Sequence, residues 1–119
     1  NDDKGTLTGS IQSNRGGESV IEVKCEKLSS FINEIPHVDL IKMDVEGAEL
    51  KIVEDLMQTG AITKVNELIV EYHHNIPGEN NSLSHFLKLF EQAGFDYSIR
   101  TNFSSLGFMQ DVLLHFYRK

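Results

Sequence analysis

The sequence predicts an α/β chain built on parallel strands and closed by an antiparallel hairpin. Three observations carry that prediction. Two short, mostly apolar runs, Val38–Val45 and Leu68–Tyr72, read as strands buried on both faces, the kind found in parallel sheets. Amphipathic helical stripes alternate with them, which is the βαβ pattern. The chain then ends in two alternating runs, one with Phe95, Tyr97 and Ile99 on one face, the other with Val112, Leu114 and Phe116. The segment joining them is too short for a crossover helix, so they should be antiparallel.

Each element has its own signal. A weak strand is expected over Thr6–Gln12, followed by a turn at Asn14–Gly17, where paired glycines supply positive φ. Val20–Glu26 alternates, with Ile21, Val23 and Cys25 on one side, and reads as a half-buried strand paired with or beside the first. Leu28, Phe31, Ile32 and Ile35 fall at helical spacing, with Ser29 placed to cap the start and Pro36 to close the helix. After the first buried strand, Ala48, Ile52, Val53, Leu56 and Met57 form a stripe that Gly60 ends. Asn75–Asn81 is a loop around Pro77 and Gly78, and Leu83, Phe86, Leu87 and Phe90 form the last helix, ended by Gly94. The order is β-β-α-β-α-β-α-β-β. The strand Val38–Val45 wants neighbours on both edges, yet only Leu68–Tyr72 is an evident parallel partner, so the sheet reads as half of a larger one.

Composition narrows the function. The 119 residues form one domain with 39% apolar and 24% charged residues, a globular balance. No apolar run is long enough for a transmembrane helix and the start shows no basic-then-apolar signal peptide, so no membrane span is expected. The net charge of −7 repels phosphate backbones and anionic membranes, so neither nucleic acid nor a membrane is expected as a partner. Cys25 is the single cysteine, which leaves no internal disulfide and no cysteine-based zinc site and fits a reducing cytoplasm; it falls on an apolar face with Ile21 and Val23, which predicts packing. Asp3–Gly9 loosely resembles the phosphorylation motif of P-type ATPases but lacks a residue between lysine and glycine. Gly-x-Gly-x-x-Gly, Walker and Gly-x-Ser-x-Gly motifs are missing.

Ligands of open parallel sheets bind beyond the carboxyl ends of the strands. Asp44-Val45-Glu46-Gly47-Ala48-Glu49 follows the first buried strand, and Glu71-Tyr72-His73-His74 ends the second. Adjacent strands would put Asp44, Glu46, Glu71, His73 and His74 on one rim. Carboxylates beside imidazoles can act as general base, hold a substrate hydroxyl or ligate a metal. Plainer roles compete with these. Asp44 could cap the next helix, Glu49 could offset its dipole, and His74 could be a solvated loop residue. His37, His85 and His115 are isolated.

Ile41-Lys42-Met43-Asp44-Val45-Glu46-Gly47-Ala48-Glu49 resembles the hallmark run of FkbM-type methyltransferases, S-adenosylmethionine-dependent enzymes of the class I, Rossmann-like fold. Asp3–Thr6 resembles the turn after that family's third strand, and Gly16–Val20 with the run to Leu28 the approach to the fourth. Leu68–His73 resembles the fifth, and Ala93–Phe95 the approach to the sixth. Leu28-Ser29 departs from the family's frequent Leu-Asp. The resemblance implies a single partial domain, residues 1–119, equivalent to the C-terminal half of the family's sheet. The strands that hold most of the cofactor would lie outside it.

The resemblance further implies a parent enzyme that moves a methyl group from S-adenosylmethionine to a hydroxyl of a sugar or other small metabolite. Asp44 or His73 would be the base, with Glu46 and Glu71 orienting acceptor or base. The cofactor-binding residues are not assigned, and no metal is assigned in this reading. The isolated chain is expected to be inactive and to self-associate through its open sheet edge. Two alternatives stand beside it: a non-catalytic binding or regulatory module, and a carboxylate–histidine site for a divalent metal at the same rim.

Overall fold

The computed structural model describes residues 4–7, 21–80, 82–103 and 106–119. The element order is the expected one: β1 (Lys4–Leu7), β2 (Val23–Glu26), α1 (Leu28–Ile32), β3 (Val38–Met43), α2 (Glu49–Thr59), β4 (Val65–His74), α3 (Leu83–Gln92), β5 (Phe95–Arg100) and β6 (Gln110–Arg118), with a 3-10 turn at Ala61–Lys64. The turn expected at Asn14–Gly17, and the strand expected beyond Leu7, lie outside the described residues.

β1 and β2 form an antiparallel pair of their own. The half-buried strand expected there is not half-buried: Ile21, Val23 and Cys25 are all exposed. Alternation buries a face only where a second layer packs against it, and β2 has β1 as its only strand neighbour among the described residues. α1 starts two residues earlier than its capping signal suggests. Lys27 takes the N-cap position, and Ser29 lies buried inside the helix, 3% exposed. The helix also stops at Ile32, before Pro36, because the next carbonyls turn outward to another donor. Lys64 Nζ donates to the carbonyls of Ile32, Asn33 and Ile35 at 3.3, 3.1 and 3.0 Å.

The main sheet is four-stranded in the order β3-β4-β6-β5. β3 and β4 are parallel, with Ile41 beside Leu68 and Met43 beside Val70. β6 lies between β4 and β5 and is antiparallel to both. The sheet is therefore mixed. The terminal hairpin folds back so that its second strand, not its first, joins the parallel pair. β4 has neighbours on both edges, which extends it beyond the expected Leu68–Tyr72 to Val65–His74.

The three helices cover one face. Val53 and Leu56 of α2 and Phe86 and Phe90 of α3 pack with Leu68 and Val70 of β4 and Leu114 and Phe116 of β6, all fully buried. Fully burying a side chain of this size contributes roughly 1.5–3 kcal/mol. The Phe90 and Phe116 rings stack at 3.6 Å between centroids. Arg118 closes the far end, its guanidinium 3.9 Å from the Phe95 ring centroid and bonded to the carbonyls of Ala93, Ile62 and Val65. Gly60 leaves α2 at φ +77°, and the Ser82 hydroxyl caps α3 by accepting the His85 N–H at 3.2 Å.

The other face carries no helix among the described residues. β3 was expected to be buried on both sides; instead Leu40 is half exposed and only Met43 is fully buried. β3 also ends at Met43, short of Val45, because the chain turns sharply at Glu46 and Gly47, both at positive φ. No described helix is long and apolar enough to cross a membrane.

Candidate functional site

Strand register assembles a cavity at the carboxyl ends of β3 and β4. Met43 pairs with Val70, so Asp44 comes level with Glu71 on the next strand. Glu71 and His73 are two apart and share a face. On the other side, β6 places Asp111 directly opposite His73. The cavity has a volume of about 400 Å³ and a charged floor of Asp44, Glu46, Glu71, His73 and Asp111. Ile76, Pro77 and Met109 form its apolar wall. Four of the five residues expected on one rim, Asp44, Glu46, Glu71 and His73, thus line one cavity; His74 does not. Asp44, Glu71 and His73 each offer a donor atom, and these atoms lie within 4.8 Å of one another.

The turn between β3 and α2 builds the second layer of the site. Glu46 sits at φ +47° and Gly47 at φ +105°, the latter a conformation that side chains strongly disfavour. That reversal brings the first residue of α2, Glu49, under the end of β4. Glu49 is 2% exposed. Its Oε1 accepts the His73 backbone N–H at 2.8 Å and also lies 2.8 Å from His73 Nδ1. Its Oε2 accepts the Gly47 N–H. The carboxylate therefore offsets the helix dipole, as its position suggested, and also anchors an imidazole and the glycine turn.

An ionised carboxylate can only accept hydrogen bonds, so His73 Nδ1 carries the hydrogen toward Glu49. Nε2 then faces the cavity floor, 3.6 Å from Asp111 Oδ1. Burial pulls the His73 pKa down, but the Glu49 hydrogen bond and the charges of Glu49, Asp111 and Glu71 outweigh it and leave it above 6.5. Glu71 is held above its ordinary 4.5, first by its hydrogen bond with Asp111 and then by the adjacent Asp44. A carboxyl crowded by two carboxylates retains its proton more readily.

His74 points to the other face of β4 and is not part of the cavity lining. Its Nδ1 is buried with no hydrogen-bond partner among the described residues, and its ring lies 6.5 Å from that of Tyr72. The solvated loop role expected for it does not hold, because β4 runs on through His74, paired with Gln110. His37, His85 and His115 sit in exposed pairs with Asp39, Glu54 and Glu67, away from the cavity.

Two contributors escaped the sequence reading as site residues. Glu49 had a usable signal: with Val53 and Leu56 it falls on the buried stripe of α2, and an acid on an apolar stripe needs a partner. Asp111 had none, because its place opposite His73 depends on where β6 enters the sheet.

The acid–imidazole cavity lies at the carboxyl ends of the strands, where open α/β sheets place their ligand sites. Residues 2–97 match the Methyltransferase FkbM domain, and the chain belongs to that family. A human protein described as "Probable methyltransferase-like protein 24" is 35% identical over 75 residues, which is 61% of this chain and 18% of that protein. A relative of the same description from Rattus norvegicus is 39% identical over 54 residues, 44% of this chain and 15% of its own length. The matched segment thus spans less than a fifth of these curated relatives. No solved structure matches the chain.

Proposed function

We propose that this chain supplies the acceptor side of an S-adenosylmethionine-dependent O-methyltransferase, with His73 as general base. In this reading the mixed sheet is the C-terminal half of a Rossmann-like class I domain, and residues 1–119 act within a longer protein. Family membership supports the reaction class. The observation that carries the role of His73 is the 2.8 Å contact between Glu49 Oε1 and His73 Nδ1, which leaves Nε2 as the acceptor facing the cavity.

The cofactor supplies an electrophilic methyl group. The cavity itself, all carboxylates and imidazole on its polar side, fits a hydroxylated acceptor and offers no cradle for a nucleoside. His73 Nε2 takes the acceptor hydroxyl proton as the oxygen gains its new carbon bond. Asp44, Glu46 and Glu71 accept from or donate to neighbouring hydroxyls and fix the reacting one. Sugars and other small polyols match that floor.

The test uses the longer protein, assayed for S-adenosylhomocysteine release with sugars and polyols. His73→Asn should lower kcat about 10²–10⁴-fold, the usual contribution of a positioned base. Unchanged turnover would remove His73 from that role. The 119-residue chain alone should show no turnover, and measurable methylation by it would overturn the acceptor-half reading.

A second reading rests on the clustering of Asp44, Glu71 and His73 within 4.8 Å, which suits a divalent cation. Calorimetry with Mg²⁺ and Mn²⁺ decides it: heat of binding lost in Asp44→Asn supports a metal site, and its absence in the unaltered chain removes it.

A further inference from the structure

Two hydrogen-bond acceptors face each other across the cavity with no donor between them. The Glu49 contact leaves the lone pair of His73 Nε2 toward the floor. Asp111 Oδ1 lies 3.6 Å from that nitrogen, too far for a hydrogen bond. β4 and β6 hold the two in register, with His73 directly opposite Asp111. The His73 side chain is 12% exposed and tethered through Nδ1, so Nε2 does not swing out to solvent. Asp44 and Glu71 meet at the same spot, an oxygen of each within 4.8 Å of a His73 ring nitrogen. No lysine or arginine lines the cavity among the described residues. Carboxylates gathered this closely repel one another unless a cation lies between them.

A neutral polyol would satisfy Nε2 and leave that charge unopposed. We propose that the acceptor is a vicinal amino alcohol, its hydroxyl on His73 Nε2 and its protonated amine on Asp111 and Glu71. The spacing fits. A hydroxyl and an ammonium group on adjacent carbons stand about 3 Å apart when gauche, and each can reach its own acceptor at about 2.8–3 Å. The ammonium charge acidifies the neighbouring hydroxyl, which eases loss of its proton to Nε2. A protonated amine also has no lone pair with which to compete for the methyl group. Ile76, Pro77 and Met109 meet the carbon skeleton, and the net charge of −7 favours a cationic ligand at encounter. The proposal rests on the acceptor reading of the cavity and names the class of molecule that fills it.

The experiment is an NMR titration of the chain with three cyclohexane probes at about pH 8, where an alkylamine stays protonated. They are trans-2-aminocyclohexanol, trans-1,2-cyclohexanediol, which replaces the ammonium by a hydroxyl, and trans-4-aminocyclohexanol, which separates the two groups. The vicinal amino alcohol should shift His73 and Asp111 and bind at least about tenfold more tightly than either of the others, within the range of a charged hydrogen bond. Asp111 is half exposed, so Asp111→Asn keeps the fold, and it should bring the amino alcohol within about threefold of the diol.

Equal affinities for the vicinal amino alcohol and the diol, with His73 shifted by both, would overturn the amine proposal and leave the acceptor reading standing. A preference shared by the 1,4 isomer, or one untouched by Asp111→Asn, would place the amine elsewhere and overturn it too. So would binding that needs added Mg²⁺ or Mn²⁺, which would give the carboxylates to a metal. No shift at His73 with any probe would count against the acceptor reading as well.

Discussion

Glu49→Gln tests the link between buried packing and site chemistry most directly. Glu49 faces three donors: the Gly47 N–H, the His73 N–H and His73 Nδ1–H. Glutamine keeps the shape but replaces one oxygen with an NH₂. If the amide oxygen stays on His73, the NH₂ meets the Gly47 N–H, donor against donor. If the amide flips, the NH₂ meets the His73 N–H instead, and the ring must change tautomer. Either way a buried N–H loses its acceptor, which costs roughly 1–3 kcal/mol, and the surviving bonds lose their charge assistance. The expected loss is about 2–4 kcal/mol, a large share of the ~5–15 kcal/mol typical of a folded domain. Urea unfolding followed by circular dichroism reads the loss as a lower midpoint at constant slope. NMR titration of the His73 ring reads the second consequence. With the Glu49 charge gone and its bond to the ring weakened or lost, burial weighs more against the remaining Asp111 and Glu71 charges, and the His73 pKa should fall from its raised position. A raised histidine pKa contributes stability that is full below 6.5 and lost as pH rises through the folded value, so the variant should show less of that pH dependence. A change below about 0.5 kcal/mol, together with an unmoved His73 titration, would refute the reasoning; such a loss is what ordinary surface substitutions give.

The remaining predictions are briefer. Asp111→Asn removes the largest influence holding Glu71 above 4.5, so the Glu71 pKa should fall. A raised carboxyl pKa stabilises the fold below 4.5 and loses that contribution as pH rises through the folded value, so the variant should gain more stability at pH 7.5 than at pH 4.5. Carboxyl-detected NMR and urea midpoints at the two pH values check this. Gly47→Ala forces a side chain into φ +105° and should cost about 1–3 kcal/mol, read as a lower thermal midpoint. β3 pairs with β4 alone among the described residues and exposes Leu40, so the chain should self-associate at high concentration. Leu40→Lys should suppress the association, and light scattering that shows a monomer at every concentration would count against edge pairing.

How much of this was legible follows from which signals are local. Val38–Met43 and the core of β4 announce themselves as apolar runs, and their carboxyl ends lead to Asp44, Glu46, Glu71 and His73 without any knowledge of packing. Burial is not local. Ile21, Val23 and Cys25 alternate as a half-buried strand does, but no described layer lies against them. Leu40 stands in an apolar run yet half faces solvent for the same reason. Ser29 carries a good capping side chain, but the helix begins one residue before it, where the chain leaves β2. Topology is not local either: the loop between β5 and β6 fixes that the two strands are antiparallel, and says nothing about which one reaches β4. Asp111 enters the site only through that choice.

The site residues in turn help to choose the register that assembles them. On β4, Leu68, Val70 and Tyr72 face the helices, while Glu71 and His73 face the cavity. A slip of one residue would exchange the two sets, pushing Glu67, Glu71 and His73 against Phe86 and Leu56 and exposing the apolar side chains. Burying unpaired carboxylates costs several kcal/mol each, more than any alternative pairing of the strand could return. Glu49 adds a lock at the strand end, since its oxygen bonds both the backbone N–H and the ring of His73. The imidazole beside it, His74, could not replace His73 in a slipped strand without leaving Glu49 bonded to a different backbone group. Arrangements that hold a base in place and arrangements that hold a strand in register are, at this end of β4, the same two contacts.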